Sequence, residues 1–441
     1  MVAPLKIGIA GLGIVGASVV RLIERQRDDL AVRCGRRIEV VAVSARSRSK
    51  RRDLGTKRLR WVTDPVDLAR DAEIDVFVEL MGGEGDPAKA AVSAALAAKK
   101  SVVTANKALL ARHGVRLAGV AEKNHVALNF EAAVGGAIPI VKTIREGLTG
   151  NSPARVYGIL NGTCNYILTR MEQEKMAFAE CLAEAQRLGY AEADPTFDVE
   201  GHDTAQKLAI LACLAFGTKA DESAVYVEGI SSIAPEDLAW ADELGYRVKL
   251  LGVAVKTDAG IEQRVHPTMV PKDTAIAQVM GVTNAVTIDA DAISPITLVG
   301  PGAGGLATAS AVVSDIGDIA RGVRTAPFGR PSAALVSSRK APMQRHEGGY
   351  YIRLLAVDEP GTAASIARRL AQQNISLESI VQRHRSGPPQ GGKSPGRSGE
   401  PVPVVLITYA TTEDAVRRAL AAVGRDKVIS GKPQMIRIEK N

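Results

Sequence analysis

The chain has 441 residues, and its 56 Lys and Arg against 48 Asp and Glu give a formal net charge of +8. Apolar residues make up 46% and charged residues 24%, which excludes a disordered chain, and the length predicts roughly two to four domains. Because no apolar run reaches the roughly 18–20 residues of a membrane-spanning helix, we expect no membrane span.

The four cysteines, Cys34, Cys164, Cys181 and Cys213, show neither paired spacing nor a CxxC pattern. In a chain of this length, such usage is typical of a reducing compartment and argues against a structural zinc site. The first residues also run directly into a strand-like segment, with no secretory apolar region. We therefore expect a cytoplasmic protein.

Positive charge is concentrated in residues 33–60, where eleven basic residues face two acidic ones, so the segment is +9 and the rest of the chain is −1. A basic segment is compatible with nucleic acid, with an anionic membrane surface or with a phosphorylated small molecule. Its place in the fold decides between these three partners.

The first block of the chain alternates predicted strands and helices. The predicted strands are 5–10, 38–43, 76–80, 101–104 and 126–130, and helical segments such as 88–99 lie between them. This alternation is typical of a doubly wound parallel sheet in an α/β protein.

A glycine-rich motif follows the first predicted strand and opens a helix, as a dinucleotide-binding turn requires. Gly11 allows the tight turn, Gly13 lets the backbone approach a pyrophosphate, and Gly16 permits close packing of helix on strand. Ile14 and Val15 begin the helix, whose N-terminal N–H groups favour phosphate. We therefore predict a nicotinamide dinucleotide site here.

The second predicted strand ends without the acid that would hold the ribose 2′-hydroxyl of NAD. Arg46 stands where a guanidinium could bind a 2′-phosphate through two hydrogen bonds, and Ser44 or Ser47 could add a hydroxyl. The sequence thus favours NADP, with NAD possible. The alternative is that Arg46 belongs to a solvated basic loop.

A polar segment at the carboxyl end of the strand 101–104 contains Thr104, Asn106 and Lys107. Ligands of doubly wound sheets bind at this edge, so we expect Thr104 and Asn106 near the cofactor and Lys107 facing the nicotinamide pocket. The alternative is a lysine that only opens a surface helix.

A second polar segment carries five acids within the twelve residues 192–203. Asp203 and Lys207 are four residues apart on one predicted helix face, so they can pair or share a proton network. Burial or neighbouring charge could tune such a lysine for proton transfer. Two alternatives stay open, a solvated acidic loop and a divalent-metal site, although His202 has no partner histidine at metal-binding spacing.

The middle block, residues 135–330, mixes predicted strands at 155–160, 249–255 and 286–289 with helices at 178–188 and 204–215. A glycine-rich turn at 300–305, containing Gly302 and Gly304, precedes a predicted helix from 308 to 321. The last block follows the pattern βαββαβ between 350 and 438. Its insert at 386–401 is rich in Gly, Pro and Ser and is expected to be a mobile loop.

These motifs, in this order, resemble the homoserine dehydrogenase family over residues 1 to about 330. The segments that carry the resemblance are 11–16, 103–107, 135–139, 160–166, 189–194 with Asp203 and Lys207, and 302–310. The last block resembles the regulatory ACT module of many members, although Thr362 and Ala363 replace a larger apolar pair that is common there.

The resemblance implies three domains. They are a Rossmann-type doubly wound cofactor domain (1–134), an α+β substrate and dimerisation domain (135–330) and a βαββαβ ACT-like domain (346–441). Within the second domain, residues 300–325 would pack back on the cofactor domain. The resemblance also implies a homodimer or homotetramer, through an interface that the sequence does not reveal, and raises threonine as a possible effector at the ACT-like domain.

The implied activity is the reversible NAD(P)-dependent interconversion of L-homoserine and L-aspartate 4-semialdehyde, a step of threonine, methionine and isoleucine biosynthesis. By resemblance, Lys107 and Lys207 handle the proton and polarise the substrate, and Asp203 orients the reacting hydroxyl. The remaining substrate residues would be Gly162, Thr163, Tyr190, Glu192 and Asp198, with Glu192 holding the amino group.

The resemblance further implies a monovalent cation such as sodium. Its ligands here would be Glu131 and the main-chain carbonyls of Val134, Gly136 and Ile138.

Two other classes of function are weaker. Cys164 could be the nucleophile of a semialdehyde-oxidising enzyme, but no histidine base accompanies it in the local motif. A non-enzymatic sensor could bind nucleic acid through residues 33–60, but that segment lacks interleaved aromatic residues and a recognised nucleic-acid motif. We therefore expect a small-molecule substrate and no nucleic-acid partner.

Overall fold

The computed structural model describes residues 2–48, 59–337, 339–382 and 401–439. Five residues of the basic segment, Lys50, Arg51, Arg52, Lys57 and Arg58, lie outside the described residues, as does 386–400 of the predicted insert. Within the described ranges, no helix is both long and apolar enough to cross a membrane.

The N-terminal part is built on a six-stranded sheet. Its strands are β1 (Leu5–Ala10), β2 (Ile38–Ser44), β3 (Arg60–Trp61), β4 (Val76–Glu79), β5 (Ser101–Thr104) and β6 (Leu128–Asn129). All pair in parallel in the order β3-β2-β1-β4-β5-β6. Apolar side chains such as Ile7, Ile9 and Phe77 are fully buried, because helices cover both faces of such a sheet. The predicted doubly wound α/β fold is confirmed.

Five helices accompany this sheet: α1 (Ile14–Arg25), α2 (Arg27–Cys34), α3 (Pro65–Arg70), α4 (Ala88–Ala97) and α5 (Lys107–Lys123). Side chains cap two of them, since Asp64 accepts from the backbone N–H of Val66 at α3 and Asn106 from that of Leu109 at α5. Helix α1 instead has Gly13 as its N-cap residue, so no side chain accepts hydrogen bonds from its first N–H groups. Its first N–H groups are therefore left for a ligand.

The middle part contains seven helices and six strands. The helices are α6 (Ile140–Lys142), α7 (Gly162–Glu174), α8 (Phe178–Arg187), α9 (Thr196–Val199), α10 (His202–Phe216), α11 (Pro235–Glu243) and α12 (Gly305–Ala320). The strands are β7 (Pro153–Ile159), β8 (Tyr226–Val227), β9 (Tyr246–Thr257), β10 (Gly260–Pro271), β11 (Thr283–Ala290) and β12 (Ile296–Pro301). Helix α10 packs on β7, β9 and β10 and also on α5, which joins the two parts beside the candidate site.

The C-terminal part has the predicted βαββαβ order. Its elements are β13 (Glu347–Val357), α13 (Thr362–Ala371), β14 (Leu377–Gln382), β15 (Pro401–Thr408), the short β16 (Thr411–Thr412), α14 (Glu413–Arg425) and β17 (Ile429–Ile438). Its four main strands lie in the order β17-β13-β15-β14. Strand β17 pairs in parallel with β10, so middle and C-terminal strands form one 11-stranded sheet.

Helix α12 returns from the middle part to the first sheet and packs on α1. A Cβ atom at Gly305 would lie 2.8 Å from side-chain atoms of Ile14 and Ser18, so glycine allows the close approach of the two helices. Buried Val312 and Ile316 of α12 belong to the same core as Val19 of α1. This packing brings the turn before α12 to the edge of the parallel sheet.

The pattern reading missed strand β10. Its residues include Glu262, Gln263, Arg264 and His266, all buried, so the strand lacks the apolar alternation by which strands are found. Two of them have partners from the C-terminal part, since Arg264 pairs with Glu439 and Glu262 with His346. The glycine-rich turn is also shorter than predicted, since Gly300 and Pro301 belong to β12.

Candidate active site

A cleft of about 740 Å³ opens where the carboxyl ends of the parallel strands meet the middle part of the chain. The predicted residues that line it are Val15, Asn106, Lys107, Val134, Gly162, Thr163, Tyr190, Glu192, Asp198, Asp203, Lys207, Gly302 and Gly304. They come from distant parts of the sequence, and the structure brings them together at one place.

A second cleft of about 570 Å³ lies over the end of β1 and β2. Gly11, Gly13, Ser44 and Arg46 line it. The two clefts share the segment 80–82 in their walls, so they form one groove. The groove leads from the glycine-rich turn to the lysines, as an extended dinucleotide beside a small substrate requires.

The three motif glycines meet different steric conditions. Gly11 has φ +100°, and a Cβ there would overlap the Leu80 carbonyl. A Cβ at Gly16 would overlap the carbonyl of Gly11, whereas one at Gly13 would meet no protein atom within 4 Å. Gly13 therefore borders open space that a pyrophosphate can enter, while the other two glycines are required by the protein's own packing.

Arg46 is exposed at the second cleft, and the Ser44 hydroxyl donates to the carbonyl of Thr63 at 3.3 Å. Other arginines of the basic segment have protein partners. Arg33 pairs with Asp29 at 2.9 Å, Arg36 donates to the Ala3 carbonyl at 3.1 Å, Arg48 lies over the Trp61 ring and Arg60 pairs with Asp71. Part of the positive charge of this segment is thus paired or packed within the protein itself.

Asp203 is the centre of the first cleft. Its Oδ2 atom lies 2.8 Å from Lys207 Nζ and its Oδ1 atom 3.2 Å from Lys107 Nζ. Lys207 also donates to the carbonyl of Leu160 at 2.7 Å. Helix α10 supplies Asp203 and Lys207 one turn apart, and the first residue of α5 supplies Lys107.

The charges of this cluster are set by its neighbours. Burial alone would raise the pKa of Asp203, but Lys207 and Lys107 lower it to about 2. Burial and the charge of Asp203 raise the pKa of Asp198. Asp203 therefore stays ionised between the two lysines, while Asp198 binds a proton more readily than an exposed aspartate.

The beginning of α7 forms another part of the cleft wall. A Cβ at Gly162 would lie 2.6 Å from the carbonyl of Val282, so only glycine fits here. Thr163 donates its hydroxyl to the Tyr190 carbonyl at 2.6 Å, and the Tyr190 ring packs on that of Tyr166 at 5.0 Å. Glu192 is exposed at the rim of the cleft.

Thr104 lies behind the groove rather than in its wall. It is fully buried, and its hydroxyl donates to Glu79 Oε2 at 2.6 Å. Glu79 Oε1 accepts the backbone N–H groups of Met81 and Gly82, which belong to the shared wall. The sequence reading missed Glu79, although an acid at the end of an apolar strand was a usable signal. Asn106 caps α5 and donates to the Gly83 carbonyl at 2.7 Å.

Asn284 is a second site residue that was not predicted from the sequence, and it explains why position 302 is glycine. A Cβ at Gly302 would overlap the side-chain amide of Asn284, which is buried and lines the cleft. No sequence motif marks Asn284, because its role depends on the meeting of β11 with the turn before α12.

Glu131 and the segment that follows it are buried. Its carboxylate accepts the backbone N–H groups of Val141 at 2.8 Å and Lys142 at 2.9 Å, and burial raises its pKa. The neighbouring carbonyl of Ile138 accepts from the Ile140 N–H at 2.8 Å. Val134 and Gly136 are also buried, with Gly136 at φ +60°. These oxygen atoms keep further lone pairs, so the residues present fit a cation.

Cys164 is fully buried and donates its thiol to the Asp198 carbonyl at 3.2 Å. Burial and nearby carboxylates raise its pKa well above the usual value. Because the thiolate is the nucleophile, this environment disfavours nucleophilic chemistry. In the described parts of the chain, no cluster of three or more His, Cys, Asp or Glu could hold a metal ion.

Comparison with known proteins gives a consistent family. Residues 139–316 match the family described as homoserine dehydrogenase, and residues 11–131 match the homoserine dehydrogenase NAD-binding domain. Homoserine dehydrogenases from Neisseria gonorrhoeae and Pseudomonas aeruginosa are each 43% identical to this chain, with 99% of each sequence covered in both comparisons.

Solved structures agree with the sequence matches. The homoserine dehydrogenase of Thiobacillus denitrificans has a TM-score of 0.91 at 41% identity, covering 99% of this chain and 98% of that one. A hyperthermophilic archaeal homoserine dehydrogenase in complex with NADPH has a TM-score of 0.61 at 26% identity, covering 71% of this chain and 97% of that one. The chain therefore belongs to the homoserine dehydrogenase family, whose members are nicotinamide-dependent oxidoreductases that act on a CH–OH group.

Proposed function

We propose that the chain interconverts L-homoserine and L-aspartate 4-semialdehyde at the cleft around Asp203. The observation that carries this proposal is the ionised Asp203 held between Lys107 and Lys207, beside the groove that begins at the glycine-rich turn. The bound nicotinamide supplies or accepts the hydride. The protein then has to bind an amino acid, orient its oxygen and move one proton.

The proton is handled by the lysine pair. Reduction of the aldehyde leaves an alkoxide oxygen that needs one proton, and a positioned lysine supplies it. Lys207 is tied to two acceptors, Asp203 and the Leu160 carbonyl, whereas Lys107 is more exposed and pairs with Asp203 alone among its described ion pairs. Lys107→Ala and Lys207→Ala, assayed separately, distinguish them, since the proton donor cannot be removed with substantial kcat retained.

The other residues that line the cleft suit a zwitterionic amino acid. Glu192 and Asp198 offer carboxylates to its ammonium group, and Gly162, Thr163 and Tyr190 leave room for a short side chain. The decisive experiment is a steady-state assay with homoserine and each nicotinamide cofactor. Turnover with at least one cofactor is expected, and its absence in well-folded protein would reject the proposed function.

The cofactor is NADP in this proposal. Arg46 and Ser44 line the second cleft, beside the end of β2, where the 2′-phosphate is expected. Arg46→Ala is expected to lower kcat/KM for NADP about tenfold or more and to change that for NAD little, consistent with one charge-assisted phosphate contact. A wild-type preference for NAD that survives in the variant contradicts this choice.

A monovalent cation at Glu131 and the carbonyls of Val134, Gly136 and Ile138 would offset a buried negative charge. The test is a thermal unfolding series in sodium, potassium and choline chloride at constant ionic strength. We expect a higher Tm in one alkali salt than in choline, and the difference should disappear in Glu131→Gln.

The C-terminal part is proposed to be an ACT-like effector module. A cavity of about 120 Å³ lies between the 358–363 turn and β14, with Asp358, Glu359 and Thr362 as polar lining and Ile366 and Ile380 as apolar lining. A small amino acid such as threonine suits this lining. An inhibition curve with L-threonine that stays flat to millimolar concentration would reject it.

We also propose a homodimer or homotetramer, formed through residues 135–330, and a cytoplasmic location. All four cysteines are buried free thiols, as a reducing compartment favours. Sedimentation equilibrium measures the number of chains per particle.

A further inference from the structure

One side chain touches both aspartates of the candidate site. Asn161 stands directly before α7, and its Nδ2 atom donates to Asp198 Oδ1 at 2.8 Å and to Asp203 Oδ2 at 2.9 Å. Both hydrogens of the amide are thus used, each on a different carboxylate. Asn161 is buried, with 5% of its surface exposed.

The orientation of this amide is determined by its other end. Asn161 Oδ1 accepts the backbone N–H of Cys164 at 2.8 Å, which also caps α7. A backbone N–H can only donate, so the oxygen must face α7 and the NH₂ group must face the carboxylates. The preceding residue adds a contact, because the Leu160 carbonyl accepts from Lys207 at 2.7 Å.

The two aspartates that share this amide differ in their other partners and therefore in their proposed roles. Asp203 accepts from Lys107, Lys207 and Asn161, so its charge is well compensated. Asp198 accepts one side-chain hydrogen bond from the described residues, that of Asn161, and lies in the cleft wall where the substrate is expected. Without the amide, the buried carboxylate of Asp203 and the half-buried carboxylate of Asp198 would repel each other with less compensation of their charges.

We propose that Asn161 is a positioning residue of this site, whose amide holds Asp203 against the lysine pair and Asp198 toward the substrate ammonium group. The inference deepens the proposed function and rests on it. Asn161 needs no contact with the substrate for this role. The titratable groups around it are Lys107, Cys164, Asp198, Glu200, Asp203 and Lys207.

Asn161→Asp separates positioning from helix capping. Aspartate caps a helix as well as asparagine does, so the bond to the Cys164 N–H survives, but both bonds donated to the carboxylates are lost. We expect kcat/KM for homoserine to fall about 10- to 100-fold, through a higher KM and a lower kcat, with the KM of the cofactor unchanged. Asn161→Ser keeps a hydroxyl cap without adding charge and should show the same kinetic split.

Stability measured against pH gives a readout that needs no turnover. Next to two carboxylates, a third one has a folded-state pKa above its unfolded value of about 4, so Asn161→Asp loses stability relative to wild type as pH rises from about 4 through that folded-state pKa. If capping were the whole role, the charged cap would favour the helix N-terminus and the difference would not grow.

Three results decide the matter. A falling relative Tm together with the kinetic split supports the positioning role. Wild-type kcat/KM in both variants, or a relative Tm of Asn161→Asp that does not fall with pH, overturns it. If wild type fails to turn over homoserine, the proposed function fails, and the Tm series still shows whether Asn161 governs the carboxylate pair.

Discussion

Two buried ionisable side chains near the cleft, Asp203 and Lys249, lie in opposite electrostatic environments. Asp203 is buried among cations, which keep it ionised. Lys249 on β9 is 1% exposed, and none of its hydrogen-bond acceptors in the described part of the chain is a carboxylate. Its Nζ donates to Asn165 Oδ1 at 3.0 Å and to the Val279 carbonyl at 2.6 Å. These bonds fasten the loop before β11, which carries part of the cleft wall.

Lys249 should make stability depend on pH. Burial lowers its pKa from 10.5 to about 7, against the pull of Glu172 and with a contribution from Arg247. Between about pH 7 and 10.5 the unfolded chain then binds a proton that the folded chain lacks, so the stability contribution of this group rises with pH. We expect the Tm of wild type minus that of Lys249→Met to increase from pH 7 to pH 9.5.

The matched control is Lys123→Met, which alters an exposed lysine at the end of α5. Its Tm difference from wild type should be nearly independent of pH. Equal pH dependence of both variants would mean that Lys249 titrates as an ordinary surface lysine.

Cys164 provides the second residue-scale prediction. Because its thiol is buried and bonded to a carbonyl, Cys164→Ser should retain kcat within about twofold and cost about 1–2 kcal/mol of stability, since a smaller, more polar group replaces it. Loss of turnover in folded Cys164→Ser, measured with homoserine, would restore a thiol mechanism to consideration.

At the scale of elements, the turn between β1 and α1 combines two requirements in six residues. Gly16 serves contact within the protein, and Gly13 leaves room for a ligand. We therefore expect a substitution at Gly16 to lower the stability of the fold and a substitution at Gly13 to weaken cofactor binding.

Gly13→Ala and Gly16→Ala are the matched pair that tests this. The new methyl group at Gly13 meets no protein atom within 4 Å, so Tm should stay near wild type while KM for the cofactor rises about tenfold or more, because the pyrophosphate loses close approach to the backbone. At Gly16 the methyl overlaps the Gly11 carbonyl, so Tm should fall by several degrees. Identical effects of both variants on Tm and KM would contradict the distinction.

At the scale of the whole molecule, an ion-pair network centred on the buried Arg437 joins the C-terminal part to the middle part through Glu228, and this contact is called the joint below. Arg437 on β17 is 1% exposed and binds Glu413 through Nε and Nη2, each at 2.7 Å, and Glu228 through Nη1 at 2.9 Å. Glu228 lies directly after β8, and Ile230 two residues on donates its N–H to the Val199 carbonyl of α9 at 2.9 Å. The joint is therefore connected, through Glu228 and Ile230, to α9, the helix that carries Asp198.

Arg437→Met should lower the free energy of unfolding by about 1–3 kcal/mol, because Glu413 then keeps only Arg417 and Glu228 loses its arginine partner. Hydrogen–deuterium exchange of residues 429–438 is expected to accelerate. The control is Arg418→Met on α14, whose pair with Asp414 is exposed and contributes about 0–1 kcal/mol. If hydrogen–deuterium exchange of residues 429–438 accelerates equally in both variants, Arg437 does not stabilise the joint.

Much of this protein could be predicted from the sequence because local patterns determine local structure. Apolar runs that alternate with helical segments predicted the parallel strands except the short β3, and the spacing of Gly11, Gly13 and Gly16 predicted the turn between β1 and α1. The resemblance to the homoserine dehydrogenase family, which the comparisons confirm, was carried by short motifs for the same reason. Asp203 and Lys207 could be paired because one helix turn separates them.

Tertiary structure alone decided what depends on contacts between distant segments. The approach of Lys107 to Asp203, the sharing of Asn161 between two acids and the pairing of β10 with β17 join residues from 37 to 169 positions apart. No local period records such contacts, because they arise from how α10, α7 and the two sheets pack. The +9 segment shows the same limit, since charge counting located it, but only packing showed which of its described arginines are paired and that Arg46 lines the cofactor groove.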